Sequence, residues 1–417
     1  MAESIVSVTP PVVAGPPQLG DYVPVVGAPE IDDVRLLARR LAGRKLKMVN
    51  STAVGGGVAE MLSRLVPLFA ELGLPTQWET IKGGEDFFAI TKSFHNALHG
   101  AKYDGRPEWF ERFLAVNEEN RLRMQLDQDF VVIHDPQPAG LVARREALPN
   151  HWIWRCHIDL SSPDPQVWGF LQPLVARYDA AIFSSPAFAR SLPIPQFLFY
   201  PTIDPLADKN RELDPAFVRE TIAGFGIDPG RPVVTQISRF DRLKDPVGVI
   251  HAYRIVRKYA DCQLVLAGGG ATDDPEGETV LREVREAAGG DPDVHILNLP
   301  PWSHLEINAL QRGSTIIVQK SLREGFGLTV SEGLWKKKPV VASAVGGIPS
   351  QVLHKLTGML VHSVEGCAYQ IRFLLSNPVL ARRLGENGYE HVKKNFLITH
   401  NLKRYLLLFL ALSRAQG

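Results

Sequence analysis

The chain has 417 residues, too long for one ordinary domain at ~100–200 residues each and suited to two or three. Hydrophobic residues make up 45% and charged residues 22%. The 35 Gly and 31 Pro stay below the roughly 25–30% that marks low complexity, which excludes a disordered or collagen-like chain. A net charge of +1 leaves no whole-chain basic field for nonspecific nucleic-acid or membrane binding. Cys156, Cys262 and Cys367 lie far apart with no CxxC pair, which argues against a cysteine-based zinc site or a disulfide framework. The apolar run 405–412 is shorter than the ~18–20 residues a bilayer span needs. No Lys or Arg precedes Arg35, so the basic start of a secretory signal is missing. We read a soluble, cytoplasmic protein with neither nucleic acid nor membrane as a partner.

In chain order, residues 1–30 carry six prolines and read as a proline-rich arm, poorly ordered or wrapped on the surface. A helix follows and stops at Gly43. The apolar run 46–50 predicts a buried strand, the glycine triplet 55–57 a loop, and 58–73 an amphipathic helix closed by Gly73. Further strands are predicted over 129–135, 151–159, 178–185 and 196–200. Residues 201–215 are proline-punctuated and without apolar period, and they read as a linker. The rhythm then restarts, with β-rich runs at 232–238, 262–270, 294–299, 314–321 and 338–347 between helices. Strands alternating with helices imply parallel sheets with right-handed crossovers. The expected fold class is α/β, with two doubly wound Rossmann-like domains over 31–200 and 216–396. The last helix, within 397–417, is apolar on much of its surface and is expected to pack rather than bind a membrane. Ligands of such sheets bind at the carboxyl ends of the strands, so the cleft between the domains is the expected site.

Three segments carry chemistry. Gly55, Gly56 and Gly57 join a strand to a helix, where backbone can approach a ligand and the helix N-terminus offers free N–H groups. The triplet matches neither GxGxxG nor GxxxxGK[ST], which disfavours a Rossmann dehydrogenase. Arg239 and Lys244 follow the first strand of the second half. Arg offers a bidentate fork to phosphate and Lys a point charge. Glu324 and Glu332 flank Gly325-Phe326-Gly327, with a helix expected from Leu328. The amides of Leu328 and Thr329 would then face an anion, and Glu332 would sit about one turn in, where a carboxylate accepts from a ribose diol. Neither HExxH nor a DxD-like triplet in a nucleotide loop is present, so no metal ligand is assigned; whether Mg²⁺ assists stays open. His99, His251, His354 and His362 read as surface or packing residues.

The spacing Glu324-x7-Glu332 around Gly-Phe-Gly, the stretch SRFDRLKDP at 238–246 and AGGG at 267–270 resemble retaining nucleotide-sugar glycosyltransferases of family 4, which have the GT-B fold. Within that family, VNSTAVGGGVAEML, TKSFHNALHG, HDPQPAG and WRCHID resemble the trehalose-making group of glycosyltransferring synthases and retaining phosphorylases. The resemblance spans the chain from about residue 31, and the fold it implies returns the last helix, within 397–417, to the first domain. It implies transfer of glucose from a nucleoside-diphosphate glucose to free glucose, giving α,α-trehalose reversibly and with retention. NDP-glucose (ADP, UDP or GDP), glucose and trehalose would be the partners, with no tightly bound cofactor. The resemblance implies Arg239 and Lys244 on the leaving diphosphate, Glu324 on the donor sugar and Glu332 on the ribose. It places Gly56, Gly57, Gly268, Gly325, Phe326, Gly327, Leu328 and Thr329 around the donor, and His134 near the reaction centre. For the acceptor pocket it suggests His95, Asn96, Asp135, Arg155, His157 and Asp159. A phosphorylase, with phosphate in place of NDP, is the rival within the enzyme class, and a noncatalytic nucleotide-sugar sensor the rival outside it. The assembly state is open, a homodimer being one arrangement.

Overall fold

The computed structural model describes residues 15, 17–53, 57–269 and 275–414. Its strands form two six-stranded parallel sheets. The first contains β1 (Leu46–Asn50), β2 (Thr76–Thr80), β3 (Phe130–His134), β4 (His151–Cys156), β5 (Ala180–Phe183) and β6 (Gln196–Leu198), in the order β2-β1-β3-β4-β5-β6. The second contains β7 (Val233–Ile237), β8 (Gln263–Gly268), β9 (Val294–Asn298), β10 (Ile316–Gln319), β11 (Val340–Ser343) and β12 (Met359–Val361), in the order β12-β11-β10-β7-β8-β9. β1, β3, β4, β5, β7, β8, β10 and β11 are buried along their whole length, because helices cover both faces of a parallel sheet. This explains why they read as continuous apolar runs. β2 and β12 were not expected: both are edge strands, and the polar Thr76–Thr80 is half-exposed.

Strand order reverses between β1 and β3 in one sheet and between β7 and β10 in the other. At such a point neighbouring crossovers leave toward opposite faces and open a crevice at the carboxyl ends. The four segments that follow these strands are the glycine triplet, the His134-Asp135 corner, the Arg239–Lys244 loop and the Glu324 loop. The two crevices also meet. A Cβ on Gly325 would lie 2.6 Å from the His157 carbonyl oxygen, and one on Gly57 would lie 3.1 Å from Leu328 Cδ1.

The proline-rich arm is shorter than expected. Residues 19–22, 23–26 and 28–39 are helical, and Leu19 and Tyr22 belong to the first sheet's core. Proline at the first turn of a helix costs no backbone bond, so Pro24 and Pro29 are helix starters here. Residues 1–14 and 16 lie outside the described residues. The chain passes between the halves twice, side by side: the Ile203 amide donates to the Phe396 carbonyl at 2.9 Å, and the Ile398 amide to the Ile203 carbonyl at 3.0 Å. The closing helix Ile398–Arg414 then lies on the first sheet, where Leu402, Tyr405, Leu406 and Phe409 pack with Leu46, Met48 and Phe130. Among the described residues no helix is long and apolar enough to cross a membrane.

Candidate active site

On the second sheet, a short 3₁₀ turn Arg242–Lys244 carries Lys244. The Asp241 carboxylate accepts from the Leu243 amide at 2.8 Å and caps the turn. The Lys244 Nζ donates to both Glu324 oxygens, at 2.8 and 2.7 Å. Ser321 Oγ and Gln319 Nε2 donate to Glu324 Oε2 at 3.1 and 3.4 Å. A carboxylate with so many donors is held in one orientation. Arg239 stands at the rim, half-exposed and paired with Asp241 at 3.3 Å. Gly268 is a spacer: a Cβ there would fall 1.9 Å from the Ser238 carbonyl oxygen, so only glycine lets β8 end against the Arg239 loop. Gly327, at φ +82°, precedes the helix Leu328–Trp335, whose first amides, those of Leu328 and Thr329, have no carbonyl one turn earlier to bond. Gly346 and Gly347, expected at the end of the β-rich run 338–347, lie beyond the strand, which ends at Ser343. Gly346 has φ +54°, and a Cβ on it would lie 1.6 Å from the Glu324 carbonyl oxygen; one on Gly347 would lie 2.7 Å from that of Gly325.

Phe326 must be corrected. Its ring is buried against Tyr200 and Phe396 at the double crossing, so the side chain packs there instead of lining the donor site. Glu332 is buried, accepting from Gln311 Nε2 at 3.1 Å and lying 3.5 Å from Lys209 Nζ.

On the first sheet, Asp135 follows β3 in the left-handed region at φ 65°. Its Oδ1 accepts from the His157 amide at 2.7 Å, and its own amide donates to the Arg155 carbonyl at 2.8 Å. His134 Nδ1 and His157 Nε2 share a hydrogen bond of 3.1 Å, while His134 Nε2 is buried with no protein partner. Burial pushes the Asp135 carboxyl up to about 7. Burial, then the Arg155 charge, drives both His134 and His157 well below the usual imidazole range, which keeps both rings neutral. Burial and neighbouring His99 take His95 down to about 3, and His95 Nδ1 is a second buried, unpartnered nitrogen. Asp159 is buried and accepts from the Ser161 amide at 2.8 Å. Asn96 is exposed.

One expectation changes here. Arg155 does not line an acceptor pocket. Alternation along β4 turns it toward the closing helix, where it is fully buried and donates to Tyr405 Oη at 2.6 Å and to Asn401 Oδ1 at 3.4 Å. His99, read as a surface or packing residue, is partly buried, with Nδ1 3.0 Å from the His95 carbonyl oxygen and its ring 4.4 Å from that of His95; burial lowers its pKa. Gly56 lies outside the described residues; Gly57 opens the helix Gly57–Glu71 directly after it. The structure thus gathers His95, His157, Lys244, Glu324, Gly325 and Leu328 where the halves meet, with His134 and Asp135 beneath them.

The described geometry can hold an anion on one wall and a polyhydroxylated molecule against neutral imidazoles on the other. Two family models match the chain, one in each half. The family described as trehalose synthase, N-terminal domain, matches residues 48–190, and the family glycosyl transferases group 1 matches residues 218–391. The chain is 42% identical to the trehalose synthase of Pyrococcus horikoshii, over 94% of this chain and 96% of that one. The chain belongs to the trehalose synthase family. The chain is also 29% identical to the trehalose phosphorylase of Pleurotus pulmonarius, over 95% of this chain and 61% of that one. Among solved structures, the sucrose-phosphate synthase of Thermosynechococcus elongatus superposes with a TM-score of 0.67 at 20% identity, covering 88% of this chain and 100% of that one. The fold of this trehalose synthase relative is therefore GT-B, and the chain is a glycosyltransferase.

Proposed function

We propose that the protein transfers glucose from a nucleoside-diphosphate glucose to free glucose, forming α,α-trehalose with retention at the donor carbon. The observation that carries this reading is the convergence at the second sheet's switch point. Lys244 grips Glu324 there with two hydrogen bonds, beside Arg239 and the helix opening at Leu328, across from the neutral histidines of the first sheet. In this account the bond from the sugar C1 to the phosphate oxygen breaks, and a bond from C1 to an acceptor hydroxyl oxygen forms. The hydroxyl proton leaves with the departing phosphate oxygen. Lys244, Arg239 and the Leu328 and Thr329 amides offset the charge that develops on the diphosphate, in a cleft where water is scarce. A hydrolase would place two carboxylates on either side of the scissile bond. Glu324 instead has both oxygens engaged by Lys244, which suits orienting donor hydroxyls. His95, His157 and Asp159 supply polar groups of fixed orientation for the acceptor, with His134 and Asp135 supporting them. The donor is a substrate, and no resident cofactor enters the proposal.

The phosphorylase relative favours one second reading, in which inorganic phosphate replaces NDP. The reverse reaction separates the two. Trehalose incubated with ADP, UDP or GDP should yield the matching nucleoside-diphosphate glucose, and trehalose with phosphate alone should yield nothing. Glucose 1-phosphate from the phosphate arm would overturn the NDP reading in favour of phosphorolysis.

A further inference from the structure

Lys209 lies in the segment that joins the two sheets, where a lysine reads as a solvated linker residue. Its side chain is nonetheless only 17% exposed. Its Nζ is 2.8 Å from Glu60 Oε2, on the helix Gly57–Glu71 of the first half, and 3.5 Å from Glu332 Oε1, on the helix Leu328–Trp335 of the second. The backbone that carries it is fixed to the second half. Asn308 Nδ2 donates to the Asp208 and Arg211 carbonyls at 2.8 Å each, and Trp335 Nε1 donates to the Asn210 carbonyl at 3.2 Å. Lys336 Nζ donates to Asn210 Oδ1 at 3.0 Å. One ammonium, rooted in the second half, is thus shared between a carboxylate from each half.

Glu332 supplies the reason this matters. A carboxylate oxygen accepts about two hydrogen bonds. Gln311 occupies one position on Oε2 and Lys209 approaches Oε1, so each oxygen keeps one acceptor position and the plane of the carboxylate is set. That is the arrangement a vicinal diol needs. Burial of Lys209 would lower its pKa, but the charges of Glu332 and Glu60 outweigh it and raise it, so the ammonium stays charged. His304, at the start of the helix His304–Gly313, feels the same three charges and leaves Nδ1 buried without a protein partner beside them.

We infer that Lys209 is a positioning residue that orients Glu332 toward the nucleoside diol and, through Glu60, makes nucleoside recognition depend on docking of the first half's glycine-loop helix. The inference rests on the proposed NDP-sugar reading and on Glu332 as its ribose acceptor. It adds a coupling that neither requires: a residue of the acceptor half that touches no donor group tunes donor affinity.

The test is calorimetric titration of the full chain with UDP, ADP and GDP, and with the 2′- and 3′-deoxy forms of whichever binds best. The wild type should bind the ribonucleotide about 10- to 100-fold more tightly than a deoxy form, the range expected for a buried charge-assisted hydrogen bond. Lys209→Met should weaken ribonucleotide binding about 10-fold and shrink the deoxy penalty to about twofold, while Lys209→Arg keeps both near wild type. Glu60→Gln should weaken ribonucleotide binding about threefold or more, and the double variant should be no worse than Lys209→Met alone. Should Lys209→Met fail to fold, Glu60→Gln decides the matter, because unchanged nucleotide affinity there overturns the inference. A folded Lys209→Met with the full deoxy penalty, alongside an Glu332→Gln that has lost it, overturns the role of Lys209 alone. A wild type that binds none of the nucleotides overturns the NDP reading itself.

Discussion

Lys244 and Glu324 form an ion pair at 2.7 Å with side chains 19% and 8% exposed, so neither charge is fully screened by water. Removing the lysine strands a buried carboxylate and strips a cation from the diphosphate site. Lys244→Ala should lower turnover about 10- to 150-fold, the cost of a charge-assisted contact, with the melting transition retained; near-normal kcat would remove diphosphate stabilisation from the mechanism. Arg239→Ala removes a second cation from the same developing charge and should also lower kcat, by less than Lys244→Ala because Arg239 stands half-exposed at the rim. His95 links the site to acid stability. Its folded value of about 3 lies below the ordinary ~6.5 of an unfolded chain, so between these the unfolded state holds a proton that the native state lacks. The stability tied to this group is complete above about 6.5 and is lost as pH falls toward 3, at up to about 1.4 kcal/mol per pH unit. His95→Gln should therefore show a smaller drop in Tm between pH 7 and pH 5 than the wild type, and parallel pH curves would show that His95 is not held neutral. Asp135 runs the other way: its raised value means protons are bound on folding, and its contribution is lost as pH rises through about 7.

At the scale of elements, the Glu324 loop is shaped by glycines beyond its own motif. Gly346→Ala places a Cβ at φ +54° and 1.6 Å from the Glu324 carbonyl oxygen, so backbone must move. Strain of about 1–2 kcal/mol adds to a displaced Glu324, and kcat should fall more than about 10-fold. Gly43→Ala is the control: φ is +81° but nothing lies within 4 Å of the new Cβ, so only the strain should appear, as a lowered Tm with unchanged kinetics. Equal kinetic loss in both variants would contradict the contact argument. The two loops differ in how readable they are. Glu324, Gly325, Gly327 and Glu332 announce themselves by residue type and spacing, and the buried central strands by unbroken apolar runs. Gly346 is one glycine among 35, and its partner is 22 positions away in the chain, so no local pattern marks it. β2 was hidden because an edge strand need bury only part of its surface, which Thr76–Thr80 does with polar residues. Arg155 was misplaced for a related reason. Period-2 alternation puts it on one face of β4, but only the fold shows that the closing helix covers that face.

Over the whole molecule, the closing helix Ile398–Arg414 ties the end of the chain to the first sheet. Leu402, Tyr405, Leu406 and Phe409 are buried there, at roughly 1.5–3 kcal/mol each, a sum comparable to a domain's whole stability of ~5–15 kcal/mol. Removing residues 398–414 should unfold the first half, read as rapid proteolysis of 31–200 while 216–396 resists; a protease-resistant first half would show that the helix is an accessory. Its apolar surface alone says only that the last helix packs; that it returns to the first sheet was expected from the fold that the family resemblance implies. How the halves face each other was not: Gly325 against His157 and Lys209 between Glu60 and Glu332 join residues far apart in sequence, none with a pattern to pair them. This apposition underlies the central claim, that a sugar passes from a diphosphate on the second sheet to a sugar on the first. The most direct measurement is NMR of products from nucleoside-diphosphate [1-¹³C]glucose and unlabelled glucose, without phosphate. The account predicts one nonreducing disaccharide with both anomeric carbons α, labelled on one ring, and one equivalent of nucleoside diphosphate released. A β-linked product, a reducing disaccharide, free labelled glucose alone, or no reaction until phosphate is added would contradict it.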